Sequence, residues 1–157
     1  MNPPHNYQSI KKSKEGFTLI EMLVVVAVIG LLSSVILVAL GPAKEKAKDS
    51  RITQEVNQVR ALAETFYNGN YAILPQLPSV IEISNQNLKE LADDITLQGG
   101  ALTIINPAPF KTYSAYSKLN TTLGDSSNPT IQYYCIDSVG HSVTTSIEPS
   151  ISTCPVQ

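Results

Sequence analysis

The sequence offers few residues from which a catalytic or metal site could be built. It contains only two histidines and two cysteines among 157 residues. His5 lies near the start of the chain and His141 in a predicted turn, so we expect neither to have a partner for acid–base chemistry or metal binding. The sequence also lacks a phosphate loop, a CxxC pair and a nucleophile elbow. We therefore expect no enzymatic activity, no cofactor and no metal ion.

Basic residues are scarce in the second half of the chain. Eight acidic residues lie between Glu64 and Glu148, whereas only three basic residues follow Arg60: Lys89, Lys111 and Lys118. Because non-specific affinity for DNA comes mostly from Lys and Arg that neutralise phosphates, we predict no nucleic-acid partner. An earlier basic group contains acids as well, and we interpret it as a solvated helix face: Lys44, Glu45, Lys46, Lys48, Asp49 and Arg51.

One apolar stretch, residues 17–40, dominates the start of the chain. As a helix it would reach about 36 Å, which exceeds the roughly 30 Å hydrocarbon core of a bilayer. It contains Glu21, and an acid inside such a stretch indicates a functional site. The stretch is longer than the apolar region of a secretory signal, and no small-residue cleavage site follows it. Basic residues flank it on both sides, so charge alone does not orient it in a membrane.

The chain divides into four predicted segments: a polar leader (1–16), an apolar helix (17–40), an amphipathic continuation of that helix (41–70) and a head (71–157). Gly41-Pro42 predicts a kink, because proline removes a backbone hydrogen bond. The helix is expected to continue to about Tyr67, before the glycine stop at Asn68-Gly69. Apolar residues that recur every three or four positions predict one buried stripe: Ile52, Val56, Val59, Ala63 and Phe66.

The head is predicted to combine a short helix with antiparallel strands. Apolar residues from Leu88 to Ile95 follow a helical spacing, and Ser84 or Asn85 could cap that helix. Four later runs have strand-like composition: Leu102–Ile105, Thr112–Leu119, Ile131–Ile136 and Ser142–Ile147. Residues 137–140 predict a hairpin turn. The expected fold is α+β, with the long N-terminal helix packed against a small C-terminal antiparallel sheet.

A glycine, an aromatic residue, a three-residue spacer, a glutamate and an unbroken apolar run follow one another in KEGFTLIEMLVVV, residues 14–26. This stretch resembles the class III signal and N-terminal helix of bacterial type IV pilins and type II secretion pseudopilins. The resemblance covers about residues 11–42, and the overall plan of the chain is similar to the pilin fold.

The resemblance implies a role for three residues. Gly16 would be the last leader residue, because prepilin peptidase cuts after such a glycine. Phe17 would become the new N-terminus and would be N-methylated by the same enzyme. Glu21 would pair with the terminal amine of a neighbouring subunit during assembly. The leader would be cytoplasmic and the head would lie outside the inner membrane.

The proposed role of Glu21 also has a physical basis. A lone carboxylate in a lipid-like environment is costly, and desolvation drives both an acid and an amine towards their neutral forms, whereas pairing favours both charged forms. The alternative is a glutamate that extends to the interface of a simple signal anchor. Two departures from the family pattern limit the comparison: Pro42 lies further along than the proline of many major pilins, and Asp125–Asn128 is interpreted as a plain turn rather than a calcium loop.

Cys135 and Cys154 are the only cysteines. If the head faces an oxidising compartment, they are expected to form one disulfide, much like the disulfide-bounded region of many pilins. Two unrelated thiols are the alternative.

These observations predict a structural subunit of a type IV pilus. Its expected partners are prepilin peptidase, other copies and related pilin subunits, the inner-membrane assembly platform, and membrane lipid before assembly. It would be a single-pass inner-membrane protein and then part of a surface pilus. The alternatives are a type II secretion pseudopilin in a periplasmic pseudopilus and a monomeric membrane-anchored envelope protein.

Overall fold

The computed structural model describes residues 16–75, 85–124 and 127–155. The predicted leader, apart from Gly16, lies outside these ranges, as do Ser84 and the beginning of the proposed turn at Asp125–Asn128. The elements in chain order are α1 (Leu19–Thr65), α2 (Gln86–Leu97), β1 (Thr103–Ile105), β2 (Ser114–Leu123), β3 (Thr130–Asp137) and β4 (Ser142–Thr145).

Helix α1 contains Pro42 in its interior and continues through it. Contacts within the chain divide it into two compact units between Ala39 and Leu40. The first unit therefore contains the apolar part of α1, and the second contains the rest of α1 and all other elements.

The core of the second unit forms where α1 packs against the sheet. Four residues of the predicted stripe are fully buried: Ile52, Val56, Val59 and Ala63. They belong to one apolar cluster with residues of α2 and of the first three strands, including Leu88, Ile95, Ile104, Ala115, Leu119 and Ile136. The predicted α+β architecture, with a long N-terminal helix packed against a small antiparallel sheet, is confirmed.

The four described strands form an antiparallel meander in the order β1-β2-β3-β4. The register of β2 against β3 shifts between Lys118 and Thr122, and pairing resumes at Thr122 with Ile131. Strand β2 is consequently longer than predicted and ends at Leu123. Strand β4 is shorter than predicted and ends at Thr145, whose Oγ1 accepts a hydrogen bond from the Ile147 amide (3.0 Å).

Two details of α1 differ from prediction. It begins at Leu19 and ends at Thr65, two residues inside each predicted limit. The prediction that Phe66 belongs to the buried stripe is wrong, because this side chain is 44% exposed. The chain leaves helical geometry after Thr65, so Phe66 no longer points where the helical spacing would place it. In α2, Asn85 is the N-cap, and its side chain accepts a hydrogen bond from the Leu88 amide (3.1 Å).

Candidate processing and assembly site

Gly16, Phe17 and Glu21 lie together at the beginning of α1. Gly16 and Phe17 precede the helix in non-regular backbone, and the Phe17 side chain is 84% exposed. The peptide bond between them is therefore not held in regular secondary structure. A peptidase needs such an accessible backbone, since proteolysis occurs most readily in exposed, non-regular segments.

Thr18 and Glu21 form a reciprocal cap at the start of α1. The Thr18 amide and hydroxyl both donate hydrogen bonds to Glu21 Oε2 at 2.7 Å, and the Glu21 amide donates to Thr18 Oγ1 at 3.3 Å. This is a capping box, in which the side chains at the first and fourth positions satisfy each other's amides. The Thr-x-x-Glu spacing that predicts this cap is visible in the sequence. In a single chain the carboxylate of Glu21 thus already has hydrogen-bond donors.

The apolar surface around Glu21 is not covered by any of the residues that the structure describes. Every large apolar side chain from Phe17 to Leu40 is at least 43% exposed. The helix is long and apolar enough to cross a membrane. Small residues occur within it, and a Cβ added at Gly30 would meet no atom within 4 Å. An apolar surface of this extent in contact with water is unfavourable, so lipid or other helices must cover it.

Residues 11–37 match the family described as the prokaryotic N-terminal methylation motif. The chain carries the prepilin-type signal of type IV pilins and pseudopilins. This signal implies processing by prepilin peptidase and assembly with other pilin subunits, and together with the apolar helix it is consistent with membrane anchoring. No curated protein and no solved structure matches the chain significantly.

The match is confined to residues 11–37 and supports a pilin- or pseudopilin-like protein without distinguishing between the two. It covers residues that include Gly16, Phe17 and Glu21. The individual roles of these three residues remain predictions.

In the head, Cys135 and Cys154 form a disulfide with a Cα–Cα distance of 5.8 Å. It attaches the segment after β4 to β3. This C-terminal segment is also held by Ser114, whose hydroxyl donates to the Ile151 carbonyl (2.7 Å), and by Thr112, whose hydroxyl donates to Ser152 Oγ (2.9 Å). Bonds from β2 and β3 therefore fix the tail on the sheet.

Two buried carboxylates of the second unit were not predicted from the sequence. Asp49 of α1 is only 7% exposed and accepts four hydrogen bonds, from the Asn120 amide (2.6 Å) and Nδ2 (2.9 Å) and from the Thr121 amide (2.8 Å) and hydroxyl (2.5 Å). Burial alone would raise the pKa of Asp49, but the bonds from Thr121 and Asn120 outweigh it and lower that pKa. Asp49 precedes Ile52 at the spacing of the buried stripe, which is the signal that could have identified it.

The second buried carboxylate corrects the expectation for His141. Asp137 is fully buried, and its Oδ2 lies 2.7 Å from His141 Nδ1 and accepts a bond from the Cys154 amide (2.9 Å). The expectation that His141 has no partner is thus wrong, because its ring contacts the Asp137 carboxylate. Burial would raise the pKa of Asp137, but the hydrogen bonds from Cys154 and His141 lower it. The other oxygen accepts the Val139 and His141 amides, which stabilises the β3–β4 turn.

Arg60 connects this turn to α1. Its Nη2 donates to the carbonyls of Asp137 and His141, and its Nη1 donates to Ser142 Oγ (3.2 Å). The Asp137 carboxylate is therefore enclosed by a helix, a hairpin and the disulfide-bonded tail, whereas the His141 side chain is 45% exposed. All of these contacts are internal to the head, so the pair is a structural element of the fold.

The tyrosines of the sheet differ in exposure. Tyr113 and Tyr116 are buried, whereas Tyr133 and Tyr134 are only partly so. The hydroxyls of Tyr116 and Tyr133 donate to the two oxygens of Glu148 at 3.3 and 3.4 Å. These two hydrogen bonds add a further attachment of the C-terminal segment to the sheet.

Proposed function

We propose that this chain is a structural subunit of a type IV pilus, cut after Gly16, N-methylated on Phe17 and polymerised through its N-terminal helix. The observation that carries the proposal is the prepilin-type signal at residues 11–37, together with an apolar helix whose side chains are exposed in the described part of the chain. The work of the subunit is assembly, and it performs no catalysis.

Leader removal supplies the partner for Glu21. Cleavage creates an amine at Phe17, and α-amines have a pKa of about 7.7–8.0, so it is mostly cationic at neutral pH. Where helices pack in an apolar environment, a carboxylate and an amine from different chains each favour the charged form of the other group. Glu21 then exchanges its Thr18 hydrogen bonds for the amine of a neighbour. Pairing between chains also fixes the axial stagger of adjacent helices.

The processing step is tested by intact mass spectrometry of the protein from cells with and without prepilin peptidase. With the peptidase we expect the loss of residues 1–16 and the gain of one methyl group on Phe17. Without it we expect the uncut chain. An uncut chain in peptidase-positive cells would contradict the proposal.

The assembly step is tested by comparing cells that carry the gene with cells from which it has been deleted. Surface fibres that contain the protein support a pilus. Their absence, together with a protein-export defect, would identify a pseudopilin instead. A processed protein that stays monomeric after solubilisation would indicate an anchored envelope protein.

A further inference from the structure

A group of basic residues follows the apolar part of α1, and the structure distinguishes between its members. Arg51 donates two hydrogen bonds to Asp94 of α2, from Nε (2.7 Å) and Nη2 (3.0 Å). Lys48 Nζ lies 3.7 Å from a carboxylate oxygen of Glu45. Arg51 and Lys48 are therefore each paired with a carboxylate of the second unit.

Asp49 does not neutralise the remaining lysines. Its carboxylate is buried against β2 and accepts hydrogen bonds from Asn120 and Thr121. Lys44 and Lys46 are exposed, and no ion pair among the described residues includes either of them. In the described part of the chain, the mixed charge of this group thus leaves two unpaired cations on the surface, Lys44 and Lys46.

Their position along the helix matches the headgroup layer of a membrane. Lys44 and Lys46 follow Leu40, the last residue of the apolar stretch, by four and six positions. In an α-helix this corresponds to about 6 and 9 Å along the axis. Each headgroup layer is about 5–8 Å thick beyond the hydrocarbon core, and lysine side chains extend along apolar surface to place their ammonium groups at such a boundary.

The two lysines also lie on different sides of the helix. Two residues apart in a helix with 3.6 residues per turn, their side chains diverge by roughly 160°. A single docked protein would contact one side, whereas lipid headgroups surround a spanning helix. Cations on both sides therefore favour lipid over a protein partner.

We propose that Lys44 and Lys46 bind the phosphate groups of anionic phospholipids while the chain resides in the membrane. This inference rests on the membrane-anchored state of the proposed function. It gives the subunit an electrostatic attachment to the lipid surface on the head side of the apolar helix, and that attachment must be broken before the subunit enters a filament.

The test is native mass spectrometry of the detergent-solubilised full chain with added phosphatidylglycerol or phosphatidylcholine. We expect the wild type to retain phosphatidylglycerol in preference to phosphatidylcholine. Each of Lys44→Gln and Lys46→Gln should weaken phosphatidylglycerol binding about fivefold, and the double variant roughly 25-fold. The double variant Lys89→Gln/Lys118→Gln removes the same charge elsewhere in the head and should bind like the wild type.

Three outcomes would overturn the inference. The first is unchanged phosphatidylglycerol binding by the Lys44/Lys46 double variant, and the second is an equal loss in the Lys89/Lys118 control. The third is a loss of chain–chain oligomers without a loss of lipid, which would assign the lysines to a contact with a second copy. The assay does not require leader removal, so its failure leaves the prepilin proposal standing.

Discussion

The two units of this chain differ in where their apolar side chains lie. From Phe17 to Leu40 every large apolar side chain is at least 43% exposed, whereas four residues of the stripe in the second unit are fully buried: Ile52, Val56, Val59 and Ala63. Both units share one continuous helix. Helix formation alone therefore does not distinguish them. The difference is that the head contains its own partner for α1 and the apolar part does not.

The same contrast holds for acids. Asp49 and Asp137 are buried and satisfied by donors of the head. Glu21 is exposed, and among the described residues it accepts hydrogen bonds from Thr18 alone. A buried acid with internal donors stabilises a fold, whereas an exposed acid in an apolar surface remains available to another chain. The predictions below test this contrast.

Glu21→Gln should have the largest effect. Loss of one partner of a buried ion pair costs about 3–5 kcal/mol, so we expect the fibre yield to fall at least about 100-fold. Thermal unfolding of the head should be unchanged, because Glu21 bonds to Thr18 alone among the described residues. Electron microscopy of sheared fibres measures the yield, and Glu90→Gln in α2 is the matched control. Normal fibre growth in Glu21→Gln would remove the basis for intermolecular pairing.

Ile52→Ala and Ile29→Ala compare the same truncation in the two units. Ile52 is fully buried, so its truncation should destabilise the head by about 2–5 kcal/mol. Ile29 is 56% exposed, and its truncation should leave head stability within about 0.5 kcal/mol. Urea unfolding in detergent, monitored by tyrosine fluorescence, measures both. Equal losses would show that the two parts of α1 do not differ as described.

The double substitution Cys135→Ser/Cys154→Ser removes the covalent attachment of the tail. In the chain-entropy model a loop of about 20 residues contributes about 3 kcal/mol. Unfolding of the variant and of the reduced wild type should give similar losses. A variant as stable as the oxidised wild type would mean that the hydrogen bonds of Ser114 and Asp137 hold the tail without the disulfide.

Asp49→Asn tests the hydrogen bonds that Asp49 of α1 accepts from Asn120 and Thr121 of β2. Its amide keeps the shape but provides only one acceptor oxygen for donors that now bond to two. Leaving a buried donor unsatisfied costs about 1–3 kcal/mol. Glu45→Gln, on the same helix but exposed, should change stability by less than about 0.5 kcal/mol. An equal effect of both substitutions would contradict the role of Asp49.

The smallest effect on stability is expected when the pH is lowered. The pKa values of Asp49 and Asp137 are both lower in the folded head than their ordinary value, which is about 3.9 in the unfolded chain. Their contribution to stability is therefore complete above about pH 5 and is lost as the pH falls through the folded-state pKa values. Urea unfolding at several pH values should show this decline, and Asp49→Asn should reduce it. A stability that rises towards pH 3 would contradict the assigned directions.

Much of the fold could be predicted from the sequence because its signals are local. The spacing of Ile52, Val56 and Val59 predicts the buried face of α1, and β-branched runs predict the strands. The stripe spacing places Asp49 on the buried face of α1, but its donors could not be predicted, because they lie about 70 residues away beside a register shift in β2. The donors of Asp137 likewise come from a turn and from the tail. Contacts of this kind depend on the tertiary arrangement.

Most of the candidate site, by contrast, could be predicted from local sequence patterns. Gly16, Phe17 and Glu21 could be identified from sequence because they lie within six positions of one another. The bonds between Thr18 and Glu21 required only the Thr-x-x-Glu pattern. The partner expected in an assembled filament is another chain, and no pattern within one chain specifies its geometry.

Zero-length carbodiimide cross-linking of filaments grown from a mixture of ¹⁴N- and ¹⁵N-labelled subunits tests the central claim most directly. We predict an amide bond between the Glu21 carboxylate and the Phe17 amine, found in mass spectra as peptide pairs that combine both isotopes. Pairs of one isotope alone would place the bond within a single chain, and a complete absence of the link would show that Glu21 has a different partner; either result would contradict the account.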